Sequence, residues 1–297
     1  MIAVEDLRKR YGKTLAVDGL SFTVEPGRVV GFLGPNGAGK TTTLRILLGL
    51  VRANSGQATI LGQRYNELER PFCQVGAVLE ASGFHPGRKA RNHLRVVAQA
   101  GHVPKKRVDE VLEIVGLEGA AKKRVGAYSL GMRQRLALAA ALLGDPGVLI
   151  LDEPANGLDP EGIRWLRDLL RSLAAEGRAV LISSHVLAEV AQTVDDVVII
   201  AHGRLVTQSS LADLARRRQT GVRVRTPQAE ALRSALIGQG IAAELVASDV
   251  VMAFDTTTDA VGMTAAGVNA VIYEMAHEQF DLEELFLELT TPEGAVA

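Results

Sequence analysis

The chain has 297 residues, 47% of them hydrophobic and 23% charged, and a formal net charge of −1. This length allows one large domain and a small one with a sizeable core. The apolar stretches fall far short of the roughly 20 residues that a bilayer crossing needs, so no transmembrane segment is expected. The single cysteine, Cys73, excludes an intramolecular disulfide. With no signal-like segment near Met1, a cytoplasmic location is expected.

The charge is divided unevenly along the chain. The last 64 residues hold 11 Asp and Glu and no Lys or Arg, or −11, whereas the first 233 hold 33 Lys and Arg against 23 acids, or +10. Two units with different surfaces are therefore expected, a domain at 1–215 and a small acidic α+β domain at 216–297. Nucleic acid is not predicted as a partner, because the basic residues share their surface with acids.

Strand patterns dominate the first part of the chain. Alternating apolar residues predict strands near Ile2–Val4 and Leu20–Val24, before a turn at Pro26-Gly27. Strand and helix patterns then alternate, which favours a mostly parallel sheet flanked by helices. The later strand candidates are Val29–Leu33, Gly76–Leu79, Val148–Leu151, Ala179–Ser183, Val197–Ile200 and Arg204–Gln208.

Helical patterns replace the strands between residues 86 and 143, which predicts a helical insertion. Its predicted helices are Ala90–Ala100, Lys105–Val115 and Met132–Leu143. A helix at Leu211–Arg218 is expected to lead into the second domain. The elements expected there lie around Val222–Arg225, Ala229–Ile237, Ala243–Phe254 and Asn269–Tyr273. An amphipathic helix, Leu282–Leu289, is expected either to dock on its own chain or to pack against a second protomer.

A phosphate-binding loop is predicted directly after Val29–Leu33. The sequence Gly34-Pro-Asn-Gly-Ala-Gly-Lys-Thr41 fits G-x-x-x-x-G-K-[ST], and a helix is predicted at Thr41–Leu50. The glycines let backbone N–H groups face phosphate oxygens, and a helix N-terminus favours an anion. Lys40 is expected to reach the terminal phosphates, and Thr41 to ligate Mg²⁺. The predicted nucleotide-binding residues here are Gly34, Pro35, Asn36, Gly37, Ala38, Gly39, Lys40, Thr41 and Thr42.

Two acids end another apolar strand, in the sequence Val148-Leu-Ile-Leu-Asp152-Glu153. Ligands bind at the carboxyl ends of strands in open α/β sheets, so both carboxylates are placed to act on a nucleotide. Asp152 is expected to hold Mg²⁺ through water. Glu153 is expected to orient or deprotonate the attacking water.

Two further motifs complete a recognisable order. Tyr128-Ser-Leu-Gly-Met132 precedes a predicted helix, and Ser184-His185 follows a predicted strand. The order of these motifs, from the phosphate loop to Ser184-His185, resembles that of ATP-binding cassette (ABC) ATPases. The resemblance covers residues 1 to about 215. The resemblance implies a RecA-like P-loop NTPase sheet with an antiparallel β layer and a helical subdomain at about 86–143. It also implies ATP hydrolysis, with ATP and Mg²⁺ as cofactors.

The resemblance further implies roles for single residues. Tyr11 matches the aromatic residue that stacks on adenine. Ser129 and Gly131 match the signature motif, which contacts the γ-phosphate held by the other protomer of a head-to-tail homodimer. Asp159, in Asn156-Gly-Leu-Asp159, matches the loop that joins the two active sites. His185 matches the switch histidine at the γ-phosphate, so the implied catalytic residues are Glu153, His185 and Lys40.

Two departures from the family pattern matter, one in the signature motif and one at Glu80. The signature of the family usually reads Leu-Ser-Gly-Gly-Gln, so Leu130 replaces a glycine and Met132 a glutamine. Glu80 takes the place of a glutamine that ligates Mg²⁺ and couples to the membrane partner. Glutamate can also ligate Mg²⁺, but it adds a negative charge near the phosphates.

Within the family, the chain resembles drug and antibiotic exporters of the bacitracin, lantibiotic and daunorubicin type. The shared features are Val75-Gly-Ala-Val-Leu-Glu80, the Tyr-Ser-Leu-Gly-Met signature and the closing Leu282–Leu289. The resemblance implies a separate polytopic membrane permease and a position at the inner face of the cell membrane. The alternatives are a soluble cassette ATPase acting on ribosomes or DNA, a regulatory module without hydrolysis, and the energising subunit of an importer.

Overall fold

The computed structural model describes residues 1–79, 83–184, 192–217 and 221–278, together with Phe286. The chain divides into two compact units, Met1–Ser210 and Leu211–Leu282, and Phe286 is grouped with the first. In the described part of the chain, no helix has both the length and the apolar character that crossing a bilayer requires.

A three-stranded antiparallel sheet begins the first unit, in the order β2-β1-β4. Its strands are β1 (Ile2–Tyr11), β2 (Thr14–Val24) and β4 (Ser55–Ile60). The two predicted strands are present but longer, because their pairing runs from Ile2 opposite Val24 to Tyr11 opposite Thr14. Strand β4 was not predicted. Its first half is exposed, Ala58 and Ile60 are buried, and it pairs antiparallel with β1.

The central sheet of this unit has six strands, in the order β5-β6-β7-β3-β8-β9. They are β3 (Val29–Leu33), β5 (Val75–Val78), β6 (Val148–Asp152), β7 (Ala179–Ser184), β8 (Asp196–Ala201) and β9 (Arg204–Ser210). All neighbours are parallel except β8 and β9, which form the predicted hairpin. Each predicted strand is present, with bounds that differ by at most two residues. The β3 strand is buried throughout, as expected of a parallel strand covered on both faces.

Helices connect these strands. The bounds are α1 (Lys40–Leu47), α2 (Pro71–Gln74), α3 (Ala90–Ala100), α4 (Arg107–Ile114), α5 (Leu130–Leu142) and α6 (Pro160–Ala175). Helix α1 ends before the predicted Leu50, because Gly49 has a φ of +68° and the chain turns there. The sequence did not predict α6.

The predicted helical insertion is present between β5 and β6. Helices α3 and α4 agree with their predicted positions, and α5 begins two residues earlier than predicted. The earlier start has a local cause: the Ser129 hydroxyl accepts a hydrogen bond from the Met132 N–H and so caps the helix.

The second unit contains α7 (Leu211–Arg217) followed by a four-stranded antiparallel sheet in the order β11-β12-β10-β13. Its other elements are β10 (Gly221–Arg225), α8 (Ala229–Gly238), β11 (Ala243–Ala247), β12 (Val250–Phe254), α9 (Thr258–Gly267) and β13 (Glu274–Glu278). A separate apolar core, which includes Val224, Leu232 and Val251, joins this sheet to α8 and α9.

One predicted position in the second unit is wrong. An element was expected around Asn269–Tyr273, but residues 269–273 form neither a helix nor a strand, and the strand β13 begins at Glu274. Among the described strands, β13 lies at the edge of the sheet and pairs with β10, so it can carry exposed charged residues that conceal a strand pattern. The predicted final helix, Leu282–Leu289, lies outside the described residues except for Phe286, which is helical and buried.

Candidate functional site

The phosphate loop lies between β3 and α1, as the sequence predicted. Two of its glycines are required by close backbone approach. A Cβ on Gly39 would lie 2.4 Å from the Ala16 carbonyl oxygen, and one on Gly34 would lie 2.5 Å from the Ile200 carbonyl oxygen. Gly39 also has a φ of +105°, which disfavours other residues. The loop is therefore held against β2 and β8 by contacts that only glycine allows.

Lys40 is the first residue of α1, and only 7% of it is exposed. Its Nζ donates hydrogen bonds to the carbonyl oxygens of Gly34, at 2.6 Å, and Pro35, at 3.3 Å. Burial lowers the pKa of Lys40, while the carboxylates of Glu153 and Asp152 act in the opposite direction. The ammonium group thus lies against the loop, close to both acids at the end of β6.

Asp152 connects three segments at the end of the sheet. Its Oδ2 accepts a hydrogen bond of 2.9 Å from Thr41 Oγ1, and its Oδ1 accepts one from Ser183 Oγ. Ser183 lies opposite Asp152 in the parallel pairing of β6 and β7. Both carboxylate oxygens are therefore oriented by hydroxyl groups from neighbouring elements.

Glu153 follows β6 in a left-handed backbone conformation, with a φ of +49°. Its N–H donates to the Ser183 carbonyl oxygen at 3.2 Å and to Ser183 Oγ at 3.1 Å, which holds the turn. Glu153 faces a cavity of about 520 Å³ above the phosphate loop. The residues lining this cavity are Ala16, Asn36, Gly37, Ala38, Gly39, Lys40, Thr41, Thr42, Glu153 and Asn156.

Tyr11 lies at the end of β1 and is 47% exposed. The Lys9 ammonium lies 4.9 Å from the centre of the Tyr11 ring, a cation–π distance. Lys9 Nζ also donates to the Arg52 carbonyl oxygen at 2.8 Å, which holds the ammonium in place. Tyr11 is not among the residues that line the cavity above the phosphate loop.

The signature residues lie at the start of α5 and also do not line that cavity. Ser129 is the N-cap residue of α5, and its hydroxyl is 3.2 Å from the Met132 nitrogen. A Cβ on Gly131 would lie 3.4 Å from the Gly157 carbonyl oxygen, so the helix start packs against the 156–159 loop. Asp159 ends this loop and caps α6, accepting a 2.7 Å hydrogen bond from the Gly162 N–H.

The structure thus brings Lys40, Thr41, Asp152 and Glu153 together and places Ser129 and Gly131 beside the loop that carries Asp159. Two predicted site residues, Glu80 and His185, lie outside the described residues.

Sequence reasoning missed three contributors: Ala16, Ser183 and Lys9. Ser183 could have been found as a polar residue near the end of a buried strand in the same sheet as Asp152. Ala16 has no comparable signal, because its contact depends on how β2 packs against the phosphate loop. Lys9 lies only two residues before Tyr11 in β1, so its contact is local and could have been considered from the sequence.

Comparison with known proteins gives a consistent result. The family described as ABC transporter matches residues 17–156, and a domain of unknown function (DUF8746) matches residues 220–283. The chain is 47% identical to the bacitracin transport ATP-binding protein BcrA of Bacillus licheniformis, over 73% of this chain and 72% of that protein. It is 36% identical to the uncharacterized ABC transporter ATP-binding protein YdbJ of Bacillus subtilis (strain 168), over 98% and 96%.

A solved structure gives the same result. It is an ATP-binding subunit of an ABC transporter, with a TM-score of 0.67 and 29% identity, over 73% of this chain and 92% of that one. The motifs, the sheet order and the extent of these alignments lead to one assignment. The chain belongs to the ATP-binding proteins of ABC transporters, a family of ATPases.

Proposed function

We propose that the chain is the ATP-hydrolysing subunit of an exporter and energises efflux of a drug, an antibiotic or a similar compound through a separate membrane permease. The observation that carries this proposal is the grouping of Lys40, Thr41 and Glu153 around one cavity at the end of the sheet, with Asp152 hydrogen-bonded to Thr41. The likeness to a bacitracin transport protein supports the exporter class.

The phosphate loop would hold the triphosphate. The first amides of α1 have no acceptor inside the helix, so they are available to phosphate oxygens. Lys40 would turn from the Gly34 carbonyl oxygen to the terminal phosphates, which are stronger acceptors because they are charged. Glu153, which lines the same cavity, would orient the attacking water and accept its proton.

Mg²⁺ fits the donors present at Thr41 and Asp152. Both offer oxygen, which Mg²⁺ prefers, and they are joined directly by a hydrogen bond of 2.9 Å. In the described part of the chain, no group of three His, Cys, Asp or Glu side chains could hold a metal ion. Mg²⁺ is commonly held by one or two protein oxygens together with substrate phosphates. The bound ion would neutralise charge on the phosphates, with Glu80 as a further proposed ligand.

We propose that two copies of the chain assemble head to tail with two ATP molecules between them. Ser129 and Gly131 lie at the start of α5, where the exposed N–H groups of a helix favour an anion. Neither residue lines the cavity of its own chain. They would instead contact the γ-phosphate bound by the partner, with Asp159 and His185 at the same interface. Hydrolysis removes the phosphate that bridges the protomers and so separates them.

The proposed organisation assigns residues 1–215 to the ATP-binding cassette, with its helical subdomain at about 86–143, and 216–297 to the acidic C-terminal domain. Through its permease, the cassette would lie at the inner face of the cell membrane. Tyr11 would stack on adenine at the other end of the nucleotide.

Glu153→Gln tests the chemistry and the assembly together. The variant keeps its cavity and should bind ATP, but hydrolysis should fall by about a hundredfold or more because the carboxylate base is lost. ATP should then shift the protein to a stable dimer in size-exclusion chromatography with light scattering. Undiminished hydrolysis would remove Glu153 from its role, and a monomer at saturating ATP would exclude the sandwich.

Transport needs a cellular test. Deleting the gene from its host should increase sensitivity to at least one peptide or aromatic antibiotic in a panel. The wild-type gene should restore resistance, and the matched Glu153→Gln gene should not. Equal restoration by both genes would contradict ATP-driven efflux.

A further inference from the structure

Leu130 stands at a signature position where the family usually has glycine, and its side chain contacts the 156–159 loop. A Cβ built on Gly157 would lie 2.1 Å from Leu130 Cδ2 and 2.4 Å from Leu130 Cγ. The leucine therefore fills the space that any side chain at position 157 would need. Gly157 also has a φ of +77°, so two independent conditions require glycine there.

This contact joins the starts of two helices. Leu130 is the first residue of α5, directly after its cap, and Gly157 lies two residues before Asp159, the cap of α6. Gly131 adds a second contact, because its Cβ position is 3.4 Å from Leu158 Cδ2. Further along α5, the Arg135 guanidinium lies 4.3 Å from the centre of the Trp165 ring on α6.

We propose that Leu130 is a positioning residue. By packing on Gly157, it fixes the helix start at Ser129 relative to the loop that carries Asp159, so that both meet the partner protomer in a single arrangement. Glycine at position 130 would leave the space above Gly157 unfilled and the two segments free to shift. This inference rests on the proposed ATP-bound dimer, because its consequence is measured there.

The test uses the full-length protein in the Glu153→Gln background, where ATP should hold the dimer together. Leu130 is 57% exposed, so less than half of the side chain is covered by Gly157 and its surroundings. Leu130→Gly should raise the dimer dissociation constant by about tenfold, through loss of this packing and the added backbone freedom of glycine in the first turn of α5. Leu130→Met should restore most of the affinity, since methionine can cover the same glycine. Binding of a fluorescent ATP analogue, at protein concentrations too low for dimers, should be unchanged in every variant.

A double-mutant cycle separates this contact from a general loss of stability. Gly157→Ala should weaken the dimer because its Cβ collides with Leu130, and combining it with Leu130→Gly should remove that collision. The double variant should therefore be weakened by much less than the product of the two single effects. Leu245→Ala serves as the matched control, because this leucine is exposed in the second unit.

Three outcomes would overturn the inference. Leu130→Gly could dimerise as well as its parent, the two single effects could simply multiply, or Leu130→Met could be as weak as Leu130→Gly. If the Glu153→Gln parent stays monomeric with ATP, the proposed dimer is wrong. The same cycle measured by thermal unfolding then decides the Leu130–Gly157 contact itself. The φ of Gly157 disfavours alanine in both backgrounds, so the contact is present only if Gly157→Ala lowers the melting temperature more with Leu130 than with Leu130→Gly.

Discussion

The Thr41 hydroxyl donates a hydrogen bond of 2.9 Å to Asp152 Oδ2, across 111 residues of sequence. This bond joins the first turn of α1 to the end of β6. Since Ser183 donates to the other oxygen of the same carboxylate, the aspartate is oriented from both sides. Two oxygen donors are thus arranged at the phosphate loop by the protein alone.

Thr41→Val should weaken the use of Mg²⁺. It removes the hydroxyl and leaves one oxygen of Asp152 without its donor, while the side-chain volume is nearly kept. The Mg²⁺ concentration for half-maximal hydrolysis should rise by about tenfold or more, in line with the usual effect of altering a metal ligand or its support. Thr41→Ser keeps the hydroxyl and should behave as wild type. Equal Mg²⁺ dependence of all three proteins would contradict a role for Thr41.

Lys40 should make the stability of the nucleotide-free protein depend on pH. Burial lowers its pKa in the folded state below the ordinary value of 10.5. Between these two pKa values the unfolded chain binds more protons, so the free energy of unfolding rises with pH. Below the folded pKa, the cost of burying the ammonium is constant.

The measurement compares wild type with Lys40→Met in denaturant unfolding from pH 7 to 10.5. Groups other than Lys40 titrate in the same way in both proteins, so the difference between the two unfolding free energies reports Lys40. The difference in unfolding free energy should shift in favour of wild type as the pH rises. A difference that does not change with pH would show that burial leaves the Lys40 pKa unaltered. ATP hydrolysis should be abolished in Lys40→Met at every pH.

Lys9 should strengthen the binding of the adenine base through Tyr11. Its ammonium covers one face of the ring and restricts the ring orientation, which leaves the other face for a base. Lys9→Met should raise the KM for ATP about two- to fivefold, as expected for a partly exposed cation–π contact, with kcat unchanged. Lys9→Arg keeps the cation and should retain the wild-type KM. A lower kcat at constant KM would place Lys9 elsewhere in the mechanism.

Ser129 should show opposite effects on stability and on assembly. Aspartate caps helices as well as serine does, whereas alanine costs about 1 kcal/mol at such a position. Ser129→Asp should therefore unfold at a higher temperature than Ser129→Ala. Yet its carboxylate would repel the γ-phosphate of the partner, so its ATP-driven dimerisation should be the weaker of the two. If dimerisation instead followed the order of melting temperatures, Ser129 would be only a helix cap.

The sequence determined the local chemistry of this protein. The phosphate loop and the Asp152-Glu153 pair could be predicted because their functional atoms belong to continuous stretches that follow buried strands, and such strands have a clear apolar pattern. The helical insertion was predicted for a similar reason, since α3 and α4 show the periodicity of amphipathic helices and α5 contains the continuous apolar run from Leu136 to Leu143.

The tertiary structure alone decided which of these pieces touch. The register of β6 and β7 puts Ser183 opposite Asp152, and the packing of α5 near α6 puts Leu130 on Gly157. A linear pattern does not encode sheet order or the distance between two helix starts, because these follow from how the whole core packs. For the same reason β4, whose own residues are largely polar, became a strand only through its pairing with β1.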